Sequence, residues 1–251
     1  MKRAALAFLL LTVFSTVILP AGGQTARRAG YSAIIWRDPG RISSRNLYYG
    51  PGSANLAPVP PFRFMKEDKD GESPKFMVRD ARGVEWKVKL GPEAQTETVA
   101  TRLVWAVGYF AEEADYFKRV RVRGLPRLSR GREYVDSEGI VYGARFEPRR
   151  RNVERGETWE WGKNPFVGTR ELDGLRVLMI LLNNYDARTE NNRILLVRRP
   201  GSNRVEARYV VTDLGATLGR ADGLGGERAK NDLDAFLSTR FVLGVKDGRV
   251  K

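Results

Sequence analysis

The chain has 251 residues, with 44 Lys and Arg against 30 Asp and Glu, and it contains neither Cys nor His. This length predicts one domain of two lobes or two small domains, and 42% hydrophobic residues are enough for a real core. The missing residue types exclude disulfides, thiol nucleophiles, imidazole bases and thiolate or imidazole metal sites. Any metal must be a hard, oxygen-binding ion such as Mg²⁺ or Mn²⁺. The net charge of +14 favours anionic partners.

Residues 1–23 have the order of a secretory signal peptide. Lys2 and Arg3 form a short positive start, residues 4–19 are almost wholly apolar, and small residues at 21–23 precede a predicted cleavage point. The apolar run of about 16 residues is shorter than the roughly 20 needed to cross a bilayer, which favours cleavage over an uncleaved anchor. We therefore expect an exported protein, periplasmic or extracellular, with no transmembrane segment after signal cleavage.

The residues from 24 to 148 are predicted to form a lead-in and then a sheet with one helix. Residues 24–61, rich in Gly, Pro, Ser and Arg, form the extended lead-in, with a short strand over 31–36. Alternation and turn signals then predict strands over 62–67, 75–80, 84–90, 116–123 and 139–146, with a helix over 93–109. The predicted buried stripe of that helix comprises Val99, Ala100, Leu103, Val104, Ala106 and Val107. Residues 62–148 are thus an antiparallel sheet covered by one helix, which makes the fold class α+β.

Residues 149–251 are predicted to form a second, shorter unit. A strongly apolar helix over 172–183 leads into a polar loop and then a hairpin with strands over 194–197 and 205–211. Gly-rich residues and a short amphipathic segment over 233–237 follow. The chain ends soon afterwards, which raises the alternative of a truncated C-terminus.

The polar loop and the hairpin carry the residues best suited to chemistry. Asp186 and Asn191 have a D-x-x-x-x-N spacing in the loop, and the returning hairpin strand delivers Asp213 at the head of a D-x-G sequence. Two carboxylates and an amide oxygen suit Mg²⁺ bound against nucleotide phosphates, and an Asp beside a hydroxyl orients it or takes its proton. We expect the three side chains to face one cleft, with Asn192 as an alternative to Asn191. The competing interpretation is that each Asp caps a turn on its own surface.

The order of helix, D-x₄-N, hairpin and D-x-G resembles the catalytic half of the protein-kinase-like superfamily. Within it, the chain is most similar to the atypical branches: phosphoinositide-kinase-like, HipA-like and secretory-pathway kinases. The resemblance spans residues 62–215 and implies a two-lobed kinase-like fold, with an antiparallel N-lobe sheet and one helix over 62–148 and a short C-lobe over 149–251.

The resemblance also implies roles for single residues. Lys89 resembles the phosphate-binding Lys and Glu97 its helix partner, with Lys87 and Glu93 as their reserves. The implied catalytic residues are Asp186, Lys89 and Glu97; Lys89, Asn191 and Asp213 bind ATP, and Asn191 and Asp213 bind Mg²⁺ or Mn²⁺. The expected acceptor is an unknown hydroxyl-bearing or anionic substrate.

Several features depart from the pattern of that superfamily. Tyr185 replaces the His or Arg that commonly precedes the catalytic Asp, and Leu214 is the middle residue of D-x-G. The small lobe lacks a G-x-G-x-x-G sequence, so the hairpin over 67–75 would have to cover the phosphates. The predicted function is an exported kinase-like enzyme. The alternative is a catalytically inactive pseudokinase or a basic protein that binds anionic surface ligands.

A basic run over 118–132 is the second feature that points to a partner. Arg119, Arg121 and Arg123 alternate with Val120 and Val122, so the three arginines share one face of a strand. That face is either an anion-binding surface or a solvated edge whose charge prevents aggregation. Aromatic residues do not alternate with the arginines, so no nucleic-acid partner is expected.

Overall fold

The computed structural model of the protein describes residues 31–198, 201, 204–221, 228–241, 244–247 and 249–250. The predicted signal peptide, residues 1–23, and its cleavage point lie outside these residues. No helix in the described ranges is long and apolar enough to cross a membrane.

The described chain is mostly β-structure. Its main strands are β1 (Tyr31–Ile34), β2 (Phe62–Asp68), β3 (Lys75–Arg79), β4 (Glu85–Leu90), β5 (Asp115–Arg123), β6 (Ile140–Pro148), β7 (Val153–Arg155), β8 (Asn192–Arg198) and β9 (Val205–Val211). Four two-residue strands follow: β10 (Arg220–Ala221), β11 (Arg228–Ala229), β12 (Val245–Lys246) and β13 (Arg249–Val250). The helices are α1 (Glu93–Ala106), α2 (Arg170–Leu181) and α3 (Leu233–Leu237). The other main strands and helices α1 and α2 lie close to the positions predicted from the sequence, whereas β7 and the four two-residue strands were not predicted.

Five strands close into a barrel in the order β2-β3-β4-β6-β5. All pairs are antiparallel except β2 with β5, which run parallel and complete the ring where Phe62 faces Val122 and Arg63 faces Arg123. The buried core of this unit comprises Phe62, Phe76, Val78, Trp86, Val88, Leu90, Val120, Val122, Leu128, Val141, Ala144 and Phe146. The closure removes most of the edges that an open sheet would expose.

A second, mixed sheet has the order β1-β9-β8-β7. Its strand β1 comes from the predicted lead-in and pairs in parallel with β9, with Tyr31 opposite Val205. The lead-in is held further by the Trp36 indole N–H, which donates to the Val107 carbonyl at 2.8 Å. Residues ahead of the barrel are therefore a structural part of the second sheet.

The predicted α+β, two-lobed kinase-like fold is wrong, since the chain forms a closed barrel and a mixed sheet. Alternation in a sequence identifies a strand and its two faces, but it does not identify the neighbouring strand. The contacts that decide this architecture, β2 with β5 and β1 with β9, join strands far apart in the sequence.

The predicted buried face of α1 is also partly wrong. Ala100 and Val104 are buried, but Val99 is 40% exposed and Leu103 is 37% exposed. The helix instead turns a polar stripe inwards, including Glu97, because that carboxylate meets buried cations of the barrel. The second helix, α2, packs Leu172, Leu175 and Met179 into a second core together with buried residues of α1, of β9 and of the connecting segments.

Candidate functional site

Lys89, on β4, makes ion pairs with three carboxylates. Its Nζ lies 3.1 Å from Glu97 Oε2, 2.8 Å from Glu93 Oε2 and 2.8 Å from Asp213 Oδ1. Glu93 and Glu97 are one turn apart on α1, so both side chains lie on the same helix face. The predicted Lys89–Glu97 ion pair is confirmed, and Glu93, predicted only as a reserve, is a partner at the same time.

The turn between β4 and α1 brings these groups together. Gly91 has a φ of 97°, a left-handed conformation that strains any residue with a side chain. Pro92 then caps α1, and Glu93 lies in the first turn, where the helix dipole stabilises a carboxylate. This short reversal folds α1 back over the barrel, so that its first two turns face Lys89.

The electrostatics of the cluster keep Lys89 and Glu93 charged. Burial disfavours the charged form of Lys89, but the charges of Glu97, Asp213 and Glu93 outweigh burial and raise the pKa of Lys89 above its usual value. Burial likewise opposes ionisation of Glu93, yet Lys89 and Lys230 lower the pKa of Glu93 to about 2. The Asp213 side chain is 50% exposed, whereas that of Glu97 is 4% exposed. Asp213 is therefore the member of the cluster that a ligand from solvent reaches.

A second cation holds the other oxygen of Glu97. Arg145 Nη2 lies 3.4 Å from Glu97 Oε1, and Arg145 Nη1 donates to Glu147 Oε2 at 3.0 Å. The Arg145 side chain is only 2% exposed, and the Glu97 and Glu147 charges outweigh its burial and raise its pKa. Sequence analysis missed Arg145 and Glu147. Their i, i+2 spacing places both side chains on one face of a strand, and this spacing was the sequence feature from which they could have been predicted.

Asp213 and Asn191 are neighbours across the β8–β9 hairpin. The register sets Asn192 opposite Val211, and the Thr212 N–H and hydroxyl donate to the Asn191 carbonyl at 2.7 Å and 3.0 Å. Asp213 follows directly with a φ of 53°, a left-handed conformation that Asp tolerates better than most residues. The alternative ligand, Asn192, is fully buried and donates to the Trp159 carbonyl at 2.9 Å, so it is turned away from solvent.

Asp186 lies in contact with Asn191 of the same loop. Asn191 Nδ2 donates to Asp186 Oδ2 at 3.0 Å and to the Asp186 carbonyl at 2.8 Å. The Tyr185 N–H donates to the Ala216 carbonyl at 3.3 Å, which sets this loop against the residues that follow Asp213.

The Asp186 carboxylate already has a cationic partner, which the sequence analysis did not predict. Arg188 Nη2 donates to Asp186 Oδ2 at 3.0 Å, and Arg188 Nε contacts Asp186 Oδ1. The hydrogen bond and the charge of Asp186 raise the pKa of Arg188. The Arg188 side chain is 67% exposed, so it is free to move away from Asp186 into solvent.

The D-x-G sequence packs directly on the first turn of α1. A Cβ at Gly215 would lie 2.7 Å from Glu93 Cβ, so no side chain fits there without displacement. Leu214 is 1% exposed and belongs to the second core. Each residue of the sequence thus has a structural role: Asp213 contacts Lys89, Leu214 anchors the chain and Gly215 permits the close approach.

The turn between β2 and β3 lies beside the same cluster. The Ser73 hydroxyl donates to Glu93 Oε2 at 3.1 Å. Arg130 fixes the turn from the other side by donating to the Glu72 carbonyl at 3.1 Å and to the Gly71 carbonyl. This turn is part of the hairpin predicted to cover bound phosphates, and its position next to Glu93 is consistent with that prediction.

Within the described ranges, no group of three or more acidic side chains is arranged to hold a metal ion. Mg²⁺ is usually held by only one or two carboxylates, with substrate phosphates and water completing the octahedron. Asp213 is half-exposed, whereas the Asn191 side chain is buried and its amide N–H donates to Asp186. Comparison of the chain with known protein families, curated proteins and solved structures gives no match.

Proposed function

We propose that this protein binds a nucleotide with a divalent cation at the Lys89–Asp213 cluster and transfers the terminal phosphoryl group to a hydroxyl acceptor. The observation that most supports the proposal is the 2.8 Å contact between Lys89 Nζ and Asp213 Oδ1, two residues 124 positions apart. A buried Lys is held there by α1 and at the same time touches a half-exposed carboxylate.

The charge balance of the cluster makes phosphate binding dependent on a metal. The three carboxylates around Lys89 are balanced by Lys89, Arg145 and Lys230, so the cluster offers an approaching phosphate no uncompensated positive charge unless another cation intervenes. Asp213 and the Asn191 amide oxygen would hold a divalent ion, which supplies that positive charge against the phosphates when it is bound. Lys89 would then exchange its bond to Asp213 for one to the nucleotide, while Glu97 continues to hold its ammonium.

Asp186 is the group placed to act on the acceptor. An ionised carboxylate only accepts hydrogen bonds, so Asp186 would orient the acceptor hydroxyl and take its proton. The acceptor oxygen forms a bond to the terminal phosphorus, and the bond from that phosphorus to the bridging oxygen breaks. The products are the phosphorylated acceptor and a nucleoside diphosphate. This role requires Arg188 to leave Asp186, and the exposure of Arg188 permits this.

A second candidate function is nucleotide binding without transfer. It is favoured by the two contacts between Arg188 and Asp186, which occupy both carboxylate oxygens. With both oxygens in contact with the guanidinium, Asp186 has no free oxygen to accept the acceptor proton. Under this alternative, the protein is a catalytically inactive nucleotide-binding protein.

A thermal-shift titration of the full chain with ATP, with and without Mn²⁺ or Mg²⁺, tests the binding step. A ligand at about 100 times its Kd stabilises the native state by about 2.7 kcal/mol, which is a readily measured shift in Tm. Asp213→Asn should abolish the metal-dependent part of the shift. Asp173→Asn is the matched control, since Asp173 is an exposed carboxylate on α2 paired with Arg176. A parent protein without any metal-dependent shift, or an Asp213→Asn variant that binds as well as the parent, contradicts the proposal.

Turnover distinguishes the two candidate functions. Two readouts are measured for the parent, Asp186→Asn and Arg188→Ala. The first is the release of nucleoside diphosphate, and the second is the mass gain of one phosphate on a hydroxyl acceptor. Transfer predicts that Asp186→Asn keeps nucleotide binding and loses turnover, whereas Arg188→Ala turns over at least as fast as the parent. Metal-dependent binding without turnover in both the parent and Arg188→Ala establishes the second candidate instead.

A further inference from the structure

Strand β2 pairs only with the last residues of β5, so one edge of β5 is unpaired over most of its length. Strand β2 pairs with β5 only where Phe62 faces Val122 and Arg63 faces Arg123. The residues ahead of β2 are Pro60 and Pro61, and proline has no N–H to continue a ladder. In the part of the chain that the structure describes, residues 117–121 of β5 therefore have no strand partner on the β2 side.

The open side of β5 carries main-chain hydrogen-bonding groups. The Val122 N–H donates to the Gly139 carbonyl at 2.9 Å, on the opposite side, where β6 lies. Successive residues of a paired strand alternate in the direction of their N–H and C=O groups. Arg119 therefore turns its backbone groups, and Arg121 its N–H, towards the open side next to Pro60 and Pro61, whereas the Arg121 carbonyl faces β2 at Phe62.

A cavity and a row of arginines follow this open edge. The cavity has a volume of about 540 Å³ and is lined by Pro60, Pro61, Phe62, Phe117, Arg119, Val120, Arg121 and Arg123. Arg119, Arg121 and Arg123 are exposed on one face of β5, while Val120 and Val122 are buried on the other. Alternate residues of a strand lie about 7 Å apart, so the Cα atoms that carry the three guanidinium groups are evenly spaced. Among the described residues, the one ion pair these arginines make is Arg121 with Glu138 at 3.9 Å.

We propose that this edge binds an extended acidic peptide segment, which adds to β5 as a strand. Strand addition supplies main-chain hydrogen bonds for the open edge, and side chains at alternate positions of the peptide supply specificity. Carboxylates at every second position would meet Arg119 and Arg121, with Arg123 next to the end of the open edge, and guanidinium groups bind carboxylates through two parallel hydrogen bonds. The same positive row repels the β5 edge of another copy of this chain, so the charge both selects an acidic partner and prevents self-pairing.

A nucleic-acid strand fits the same surface less well. Single-stranded nucleic acid is held by aromatic side chains on which successive bases stack. Of the two aromatic residues that line the cavity, Phe62 is completely buried, which leaves Phe117 as the one partly accessible ring. A phosphate polymer also lacks the evenly spaced N–H and C=O groups that the open edge of β5 would pair with.

Fluorescence anisotropy with the full chain and a labelled heptapeptide of alternating Glu and Thr tests the proposal. Replacing Arg119, Arg121 and Arg123 by Ser should weaken binding at least about tenfold, which is the effect of roughly 1.4 kcal/mol. The matched control removes three exposed positive charges elsewhere, at Arg151, Lys163 and Arg170, and should change binding less than about threefold. A peptide with N-methyl groups at alternate residues keeps its charge but loses half of its donors, and should bind at least about tenfold more weakly.

Three results would overturn the proposal. The parent fails to bind the peptide, or the N-methylated peptide binds as tightly as the unmodified one, or polyphosphate or oligothymidylate binds more tightly than the peptide and depends on the same arginines. The last result would assign the surface to a phosphate polymer. Asp213→Asn leaves β5 unchanged and should bind the peptide like the parent, so this test is independent of the proposed nucleotide site.

Discussion

Lys89 and Arg145 lie directly opposite each other on strands β4 and β6, and both contact Glu97 of α1. Like charges at opposite positions of a sheet repel. Glu97 removes this conflict because it presents one carboxylate oxygen to each cation. The next pair on the same face of the ladder, Lys87 and Glu147, has opposite charges in contact at 2.8 Å. The position of Lys89 therefore depends on strand β6 as well as on helix α1.

Arg145→Met should be strongly destabilising. The variant leaves Glu97 and Glu147 buried with one positive partner fewer, and breaking a buried ion pair from one side costs about 3–5 kcal/mol. The free energy of unfolding from urea titration measures the loss. Arg121→Met is the control, because exposed substitutions on the same barrel change stability by about 0.5 kcal/mol or less. A loss below about 1 kcal/mol for Arg145→Met would show that Lys87 and Lys89 already neutralise both carboxylates.

Gly215→Ala should disturb the site through its contact with α1. The added Cβ would lie 2.7 Å from Glu93 Cβ, so α1 or the chain after Asp213 must shift. Such overpacking costs about 1–3 kcal/mol and should also weaken metal-dependent nucleotide binding. Gly162→Ala is the control, since nothing lies within 4 Å of a Cβ there. Equal thermal and binding data for the two variants would refute the close packing of the D-x-G sequence on Glu93.

Asp115 should make stability depend on pH. Burial raises the pKa of Asp115 to about 6 in the folded protein, despite the opposing charge of Arg102, from a usual value of 3.8. Between those values the folded state retains a proton that the unfolded state has released, so the free energy of unfolding falls as pH rises from about 4 to about 6.

The variant Asp115→Asn cannot ionise and should lack this dependence. It should be more stable than the parent at pH 7 by about 1–2 kcal/mol, after a discount for partial exposure, and should match the parent near pH 4. Urea titrations of both proteins from pH 4 to pH 7 measure the difference in their free energies of unfolding. The contributions of the other ionisable groups cancel in this difference. A difference that stays constant with pH would show that Asp115 does not titrate in this range.

Gly108→Ala should weaken the attachment of the lead-in. Gly108 has a φ of 97°, and a Cβ there would lie 2.4 Å from the Arg37 carbonyl oxygen. The variant suffers both the backbone strain and the clash, with an expected loss of at least about 2–3 kcal/mol. Gly124→Ala measures the backbone strain alone, because Gly124 has a φ of 70° and no atom lies within 4 Å of a Cβ added there. If thermal unfolding shows equal losses for the two variants, the clash with the lead-in contributes nothing.

Local sequence patterns were sufficient to predict the main strands and helices and part of the site. Alternation over 75–80 and 84–90 predicted β3 and β4, since side-chain period is a property of the strand itself. The Gly91-Pro92 turn placed Glu97 within reach of Lys89, and the hairpin brought Thr212, the residue before Asp213, against Asn191. These relationships depend on residues close in sequence or joined by a single hairpin.

The tertiary structure alone decided the remaining features. The barrel closes because β5 reaches β2, and β1 joins the second sheet at β9; neither contact has a signature in local periodicity. Arg145 became part of the site only when β6 was placed beside β4, and this ionic contact turned Glu97 inwards at the expense of the apolar stripe of α1. Periodicity specifies which face of a helix or strand is buried. Which element covers that face depends on the summed packing and charge interactions of residues far apart in the chain.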